Sequence, residues 1–305
     1  MRIGLTGGGR DTDAVIRQAQ RAEADGFSSL WFPGAVLGDP LVAIALAGRA
    51  TSTIEFGTSV VQSYTCHPVL QANRFASVAA AIGTAGRLTL GVGPSHEPAM
   101  QPLGFDYRTP GRHTDEYVQI LAALLRGESV EVAGDEYNVA AGPPALVDGQ
   151  PIPVLVSALG PRLLRVAGEH ADGTILWMAN AKAVADHVAP RITAAADTAG
   201  RPAPRIVAGL PVAVHDDVAE ARETAAREFV IYGTLPNYQR ILAHGGISSP
   251  GDAAIVGDEA SVAEQITALF DAGATDFWAA PMPVGDDRST SRARTRALLQ
   301  ELASS

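Results

Sequence analysis

The chain has 305 residues and is 47% hydrophobic, which is enough to build one large barrel or two ordinary domains. Its formal charge is -10, from 23 basic and 33 acidic residues. A chain with this charge lacks the basic surface through which proteins bind phosphate backbones, so we expect no nucleic-acid partner.

The single cysteine, Cys66, excludes an internal disulfide and a thiolate-based metal cage, and it is typical of a reducing compartment. The chain enters a predicted strand at once, without a charged and apolar leader, and no apolar run approaches the length of a membrane span. We therefore expect a cytoplasmic protein that does not associate with membranes. The only lysine, Lys182, begins a predicted helix, so a phosphate loop of the Gly-Lys-Ser/Thr type is absent and a Schiff-base lysine is disfavoured.

Apolar runs bounded by Gly and Pro predict eight strands that alternate with helices. The strands are expected at residues 2–5, 29–32, 54–61, 87–92, 153–157, 173–177, 206–214 and 276–280. The helices are expected at residues 11–24, 40–51, 68–84, 112–126, 161–170, 181–199, 217–231, 261–272 and 290–303. This alternation predicts an α/β fold, a (β/α)8 or TIM barrel, although the strand count alone leaves a doubly wound sheet as the alternative.

Three segments between predicted strands are longer than a plain barrel unit requires, namely 94–111, 127–151 and 232–258. They are rich in Gly and Pro, and no change of composition or flexible Ser/Gly tract divides the chain. We interpret them as insertions in the loops at the C-terminal strand edge, and we expect residues 1–305 to form one domain.

A triple glycine, Gly7-Gly8-Gly9, follows the first predicted strand, as in a dinucleotide-binding loop. The third glycine of that pattern would fall at Thr12, and the second strand ends at Pro33-Gly34 without the acidic residue that binds a ribose. We therefore reject a Rossmann site. The glycines serve a tight turn or leave space for a flat ligand.

Two loops that follow neighbouring strands carry candidate catalytic residues. Ser59 and Ser95 each lack the final glycine of a nucleophile elbow, so neither is a strong hydrolase candidate. The seven histidines show no metal-ligand spacing, and we expect no metal site. His67 and His96 each follow a strand at the predicted active edge, and His96 lies next to Glu97, but a lone loop histidine is about as often structural as functional.

The segment Ser157-Ala158-Leu159-Gly160-Pro161 follows a predicted strand and opens a helix. Backbone N–H groups at a helix start, small residues and the nearby Arg162 can hold a phosphate, whereas the plainer interpretation is an ordinary turn. Trp31, Trp177 and Trp278 lie near predicted strand ends, where they either line an aromatic ligand pocket or cap the layers of the barrel.

Taken together, these segments resemble the luciferase-like flavin and deazaflavin oxidoreductases over nearly the whole chain. The resemblance is carried by Phe56-Gly57-Thr58-Ser59-Val60-Val61, His67-Pro68, Gly86-Arg87-Leu88-Thr89-Leu90-Gly91-Val92-Gly93, Ser157-Ala158-Leu159-Gly160-Pro161 and Ala171-Asp172-Gly173. Tyr232-Gly233-Thr234-Leu235-Pro236-Asn237-Tyr238 and Ala272-Gly273-Ala274-Thr275-Asp276 resemble the branch that uses coenzyme F420, a 5-deazaflavin. Each motif is loose alone, but their order and spacing are specific for the family.

The resemblance implies where a flat cofactor would bind. A bulge with a non-prolyl cis peptide after the third strand would support its ring, and here this bulge falls at Ser59-Val60, followed by Val61 and Gln62. The loop Gly93-Pro94-Ser95-His96 would border the cofactor. The turn Ser157-Ala158-Leu159-Gly160-Pro161 would hold its phosphate.

One departure from the family concerns the catalytic acid. Some deazaflavin relatives carry an Asp-His pair after the second strand, where this chain has Phe32-Pro33-Gly34-Ala35. Because hydride transfer needs a proton partner on the substrate, we assign that role to His96 or Glu97, with His67 or solvent as substitutes.

We therefore predict a coenzyme F420-dependent oxidoreductase that exchanges hydride with a small-molecule substrate. By resemblance, the enzyme is expected to be a homodimer. An FMN-dependent luciferase-like monooxygenase is the alternative enzyme. A non-catalytic deazaflavin-binding protein is the alternative of a different class, which the missing Asp-His pair leaves open.

Overall fold

The computed structural model describes residues 1–34 and 38–304, and at its centre parallel strands close into a barrel. The strands are β1 (Ile3–Thr6), β2 (Ser29–Phe32), β3 (Glu55–Thr58), β4 (Val61–Gln62), β5 (Leu88–Gly93), β6 (Val130–Ala133), β7 (Asn138–Ala141), β8 (Val154–Val156), β9 (Gly173–Trp177), β10 (Arg205–Val214), β11 (Ile255–Gly257) and β12 (Asp276–Pro281). The barrel runs β1-β2-β3-β5-β8-β9-β10-β12, and β12 closes it on β1 with Phe277 opposite Ile3. The predicted (β/α)8 barrel is confirmed, and the doubly wound alternative is wrong because the sheet closes on itself.

Helices surround this barrel. They are α1 (Thr12–Ala24), α2 (Pro40–Arg49), α3 (Pro68–Ile82), α4 (Glu97–Met100), α5 (Pro110–Leu125), α6 (Pro161–His170), α7 (Ala181–Ala183), α8 (Ala189–Thr198), α9 (Val218–Glu228), α10 (Pro236–His244), α11 (Pro250–Ala253), α12 (Glu259–Asp271) and α13 (Arg288–Ser304). Many begin at a proline, whose missing N–H costs nothing in the first turn. Among the described residues, no helix is both long and apolar enough to cross a lipid bilayer.

Two predicted elements are interrupted in the structure. The predicted strand 54–61 is two strands, β3 and β4, with a cis peptide bond between Ser59 and Val60 at the break. β4 then pairs with β5, so the chain rejoins the sheet one position beyond the break. The predicted helix 181–199 is divided by a π-helical turn, Val184–Val188, which lies between α7 and α8. Single π-helical turns of this kind occur often at functional sites.

The three long segments contain regular structure that their composition did not reveal. Segment 94–111 follows β5 and includes α4, and segment 232–258 includes α10, α11 and β11. Segment 127–151 forms the hairpin of β6 and β7 and connects α5 to β8. It is therefore a helix-to-strand connection, and its predicted place among the loops at the C-terminal strand edge is wrong. The Glu116 carboxylate accepts the N–H groups of Asp135, Glu136 and Tyr137, and so fixes the hairpin turn beside α5.

The N-terminal end of the barrel is held by a network of charged side chains around the buried Asp276. Arg205 donates to Glu55 at 2.6 Å and to Asp276 at 2.7 Å, and Arg2 donates to Asp276 at 2.8 Å. The Arg205 guanidinium also lies 5.5 Å from the ring of Trp31. Burial by itself raises the pKa of Asp276, but the hydrogen bonds and charges of Arg205 and Arg2 outweigh burial and lower it. At this end of a TIM barrel such groups serve stability, which leaves the opposite end for chemistry.

Candidate active site

A cleft opens at the C-terminal ends of the barrel strands and has two connected parts. The outer lobe has a volume of about 610 Å3 and the inner lobe, over the barrel interior, about 240 Å3. The two lobes share Pro33, Ser59, Val60, Tyr232 and Tyr238, so they form one continuous space. This is the end of the barrel where TIM-barrel enzymes carry their active sites.

The floor at the junction of the lobes is the backbone around Ser59 and Val60, and glycines allow the neighbouring strands to approach it. A Cβ on Gly91 would lie 1.9 Å from the Thr58 carbonyl oxygen. A Cβ on Gly93 would lie 2.9 Å from the Ser157 Cβ and 3.2 Å from Val60 Cγ2. Only glycine fits such close contacts, so the backbone around the floor is closely packed.

The rim beside the floor is formed by β4 and the end of β5. Val61 and Gln62 line the outer lobe, and the Gln62 Nε2 atom donates to the Ser95 hydroxyl at 3.3 Å. Ser95 has a φ of 65°, and its carbonyl oxygen accepts a hydrogen bond of 2.7 Å from the Tyr107 hydroxyl. A non-glycine residue in the left-handed region is held there by its surroundings, and such residues cluster at functional sites. Gly93 and Pro94 are buried beneath this rim.

The two candidate proton donors, adjacent in sequence, have different surroundings. His96 lines the outer lobe, and its ring centroid lies 5.6 Å from that of Tyr238. Burial lowers the pKa of His96 below its ordinary value. Glu97 begins α4, is exposed, and accepts a hydrogen bond of 2.8 Å from Gln101. The cleft therefore includes His96, whereas Glu97 is not among the residues that line it.

The inner lobe has an aromatic wall. Trp177 stacks on Trp278 with ring centroids 5.0 Å apart, and the edges of Phe229 and Tyr232 meet Trp177 at 5.6 Å and 5.9 Å. Trp177 and Trp278 thus line a pocket, one of the two roles that the sequence left open for them. Trp31 instead packs in the layers of the barrel interior, where it is fully buried, and it lines neither lobe.

Three lining aromatics, Phe229, Tyr232 and Tyr238, were not among the predicted site residues. They come from the end of α9 to the first turn of α10, where the sequence predicted a helix end at residue 231 and, from Tyr232 to Tyr238, a motif that carries the resemblance but no assigned site residue. The signal that could have found them is three aromatic residues within ten positions, in a chain that is only 6% aromatic.

The predicted phosphate turn lies beside the inner lobe. Ser157 lines that lobe, and Gly160 is the residue before α6, where an added Cβ would meet no atom within 4 Å. Within residues 1–34 and 38–304, the N–H groups of Ala158, Leu159 and Gly160 have no protein acceptor. The turn therefore offers free N–H donors at the positive end of a helix dipole. Pro161, at the first position of α6, is exposed.

Two other sequence candidates lie away from the cleft or have packing roles. His67 caps α3 by accepting the Val69 N–H at 3.3 Å, and its ring packs against Tyr137, so it does not reach either lobe. In the triple glycine, a Cβ on Gly7 would lie 2.7 Å from the Phe32 ring and one on Gly9 2.8 Å from Val15. These two glycines therefore allow the loop to pack closely against Phe32 and Val15, and neither of them lines the cleft.

The segment that replaces the family's Asp-His pair is partly described. Pro33 and Gly34 line the outer lobe, and a Cβ on Gly34 would lie 2.9 Å from the Val60 carbonyl oxygen. Ala35 lies outside the described residues. Neither Pro33 nor Gly34 carries a group that can donate a side-chain proton, so the proton must come from elsewhere in the cleft.

A family model described as luciferase-like monooxygenase matches residues 2–276. The chain belongs to the luciferase-like monooxygenase family. The relatives that resemble this chain in sequence include two named enzymes. The 5,10-methylenetetrahydromethanopterin reductase of Methanolobus tindarius is 26% identical, over 80% of this chain and 74% of its own length. The F420-dependent hydroxymycolic acid dehydrogenase of Mycobacterium tuberculosis is 31% identical, over 69% of this chain and 62% of its own length.

Solved structures of luciferase-like proteins share the fold. The coenzyme F420-dependent tetrahydromethanopterin reductase of Methanopyrus kandleri superposes with a TM-score of 0.76 at 21% identity, covering 99% of this chain and 98% of its own. A second structure is the oxygenating constituent of 3,6-diketocamphane monooxygenase from Pseudomonas putida, in complex with FMN. It superposes with a TM-score of 0.73 at 20% identity, covering 99% of this chain and 97% of its own. At these identities the likeness establishes the barrel and its connections, not the ligand.

Proposed function

We propose that this luciferase-like chain is a coenzyme F420-dependent oxidoreductase, which exchanges hydride between the deazaflavin and a small organic substrate in the cleft. The observation that carries the proposal is that the backbone floor at Ser59-Val60 and Ser157, the first residue of the turn that leads to α6, line the same lobe of the cleft. The F420-dependent relative from Mycobacterium tuberculosis supports the choice of cofactor.

The floor suits a flat heterocycle. Gly91 and Gly93 let β5 approach the backbone at Ser59-Val60, and Gly34 lines the outer lobe without a side chain. The Ser59 hydroxyl is buried and has no hydrogen-bond partner among the described residues, as expected of a polar group whose surroundings are completed by a ligand. Val61, Gln62 and Ser95 would border the ring along the outer lobe.

The start of α6 suits the phosphate of the cofactor. The free N–H groups of Ala158, Leu159 and Gly160 can donate hydrogen bonds to an anion. The exposed Arg162 guanidinium forms no ion pair with a described residue and can bind the same anion. When bound, the oxidised deazaflavin accepts a hydride, one hydrogen with two electrons, from a substrate carbon. Holding the cofactor, orienting the substrate and moving the proton remain tasks of the protein.

The proposed proton carrier is His96. Its lowered pKa keeps the imidazole neutral at pH 7, so the ring can accept the proton that an alcohol hydroxyl loses as its carbon is oxidised. Glu97 faces solvent, and we therefore assign the proton to His96 rather than to Glu97. In the reverse direction the protonated imidazole returns this proton to the carbonyl oxygen.

FMN-dependent oxygenation is the second candidate function, since the matching family model is described as luciferase-like monooxygenase. A titration of the purified protein with coenzyme F420 and with FMN separates the two. We expect coenzyme F420 to bind and FMN to bind far more weakly. Tight FMN binding, no deazaflavin binding and oxygen uptake with reduced FMN would overturn the proposal.

A non-catalytic deazaflavin carrier is the third possibility. It is tested by mixing the cofactor-loaded protein with alcohols, enones and imines while following the cofactor's absorbance. Turnover with one class is expected; bound cofactor without turnover in every class would favour the carrier. The cytoplasmic location and the homodimer stay predictions, and sedimentation of the purified protein tests the second.

A further inference from the structure

The inner lobe contains no charged side chain among the described residues that line it. Its polar lining residues, such as Thr6, Ser157, Tyr232 and Tyr238, are all neutral. The charged residues of the cleft, Asp39 and Arg74, line the outer lobe and form an ion pair with each other. An anionic group in the inner lobe would therefore lose its hydration without gaining a cation.

The polar side-chain groups of the inner lobe are neutral hydroxyls and the indole N–H groups of Trp177 and Trp278. The Thr6 hydroxyl is already used, since it donates to the Ala279 carbonyl oxygen at 3.1 Å. Burial raises the pKa of Tyr232 and of Tyr238, so both phenols stay protonated and uncharged. With Ser157, they supply neutral hydrogen-bond groups suited to a carbonyl or hydroxyl oxygen rather than to a carboxylate or phosphate.

The shape of the inner lobe limits the size of what it holds. Its volume is about 240 Å3, below the roughly 300 Å3 at which ligand pockets usually begin. The stacked pair of Trp177 and Trp278, supported by Phe229 and Tyr232, gives it stiff aromatic walls. Binding an apolar ligand against these walls is favourable because it removes apolar surface of both the ligand and the walls from water.

We propose that the substrate is a compact, uncharged carbonyl compound or the corresponding alcohol, whose hydrocarbon or aromatic body packs against Trp177 and Trp278. This inference rests on the proposed function, because the reacting carbon must share the inner lobe and its junction with the cofactor ring. Compounds with a carboxylate or a phosphate ester close to the reacting carbon are excluded from the lobe.

The test is calorimetric titration of the cofactor-loaded protein with matched pairs of ketones that differ in one charged group. Suitable pairs are butanone with pyruvate, and cyclohexanone with 4-oxocyclohexanecarboxylate. The neutral member is expected to bind at least tenfold more tightly in each pair. A preference below tenfold, a preference for the carboxylate, or no binding by any neutral member would overturn the inference.

A second measurement uses Ala280, at the end of β12, which lines the inner lobe and contributes no hydrogen-bonding side chain. Ala280→Arg would add a cation to the lobe, and Ala280→Met adds similar bulk without charge. We expect Ala280→Arg to increase carboxylate affinity tenfold or more over Ala280→Met. Equal carboxylate affinity in the two variants would contradict the electrostatic argument.

Failure of the inference and failure of the proposed function give different results. If coenzyme F420 does not bind, the proposed function fails, and the same ketone pairs titrated into the cofactor-free protein still measure the preference of the lobe. If coenzyme F420 binds but carboxylates match or exceed the neutral ketones, the cofactor assignment stands and the substrate class is wrong.

Discussion

The Nε2 atom of His187 lies 2.9 Å from the carbonyl oxygen of Leu159, and so connects the π-helical turn to the candidate phosphate turn. The other ring nitrogen, Nδ1, is buried without a partner among the described residues, and burial lowers the pKa of His187. The neutral ring therefore carries its proton on Nε2 and donates it to Leu159. This bond orients the peptide groups next to the free N–H donors.

Replacing His187 should loosen that turn. We expect His187→Ala to weaken coenzyme F420 binding about two- to tenfold, the range of one hydrogen bond of ordinary strength. The measurement is fluorescence titration of the cofactor. His244→Ala is the matched control, because it removes only the ring that stacks on His187 at 3.7 Å and leaves the bond to Leu159. Unchanged affinity in His187→Ala would show that the bond does not position the turn.

The glycine floor gives a second prediction. Gly93→Ala would force Ser157 or Val60 to move, since the new Cβ would lie 2.9 Å and 3.2 Å from their side chains. Overpacking of this kind costs roughly 1 to 3 kcal/mol, part of it in stability and part in cofactor affinity. Gly142→Ala is the control, because its new Cβ would meet only the Ser129 hydroxyl, at 4.0 Å. Equal urea midpoints and equal cofactor affinities in the two variants would rule out the close packing described above.

The proton assignment gives a third prediction. We expect His96→Gln to lower kcat about 100-fold or more, the usual contribution of a general acid or base, while cofactor affinity changes little. The kcat of Glu97→Gln should stay close to that of the unchanged enzyme, because the Glu97 side chain faces solvent. A large loss in Glu97→Gln with none in His96→Gln would reverse the assignment.

The same histidine sets the expected pH dependence. Because burial lowers the pKa of His96 from 6.5, the base form predominates at neutral pH. Alcohol oxidation should therefore rise with pH through a midpoint below 6.5 and then level off, and the midpoint should disappear in His96→Gln. A midpoint above 6.5 in the kcat/KM profile would contradict this role.

The charges at the N-terminal end of the barrel give a prediction for stability. Asp276→Ala would leave Arg205 largely buried without one of its two carboxylate partners, at a cost of about 3 to 5 kcal/mol in the free energy of unfolding. Asp286→Ala, at an exposed position, is the control. Because the pKa of Asp276 is lowered from 3.8 on folding, its contribution is complete above that pH and is lost as the pH falls below it. Urea unfolding curves at pH 7 and at pH 3 measure both effects.

The sequence predicted the barrel because each strand is a short apolar run between Gly or Pro residues, and each helix carries a visible start signal such as Pro68 or Pro161. It did not predict the orientation of individual side chains. His96 and Glu97 are neighbours, yet α4 begins between them and turns Glu97 to solvent. Trp31 and Trp177 both lie at strand ends, but their depth along the barrel gives them different roles.

The site residues that sequence reasoning missed come from structure without a repeating pattern. Phe229, Tyr232 and Tyr238 lie around a short 3-10 helix and the start of α10, where neither the strand nor the helix period applies. Their place in the inner lobe depends on how that stretch folds back over the barrel. The amino-acid composition shows that this stretch is aromatic, but it does not predict that the stretch forms a wall of the cleft.

The stretch that carries these three aromatics lies outside the strand-and-helix unit that repeats around the barrel. It contributes one side of the cleft, whereas the glycine floor and the start of α6 come from the repeating units. On the proposed function, one wall of the substrate lobe and the turn that would hold the cofactor phosphate are thereby encoded in separate stretches of the gene. Grafting residues 229–238 from one homologue to another is a route to exchanging preference while retaining the catalytic scaffold.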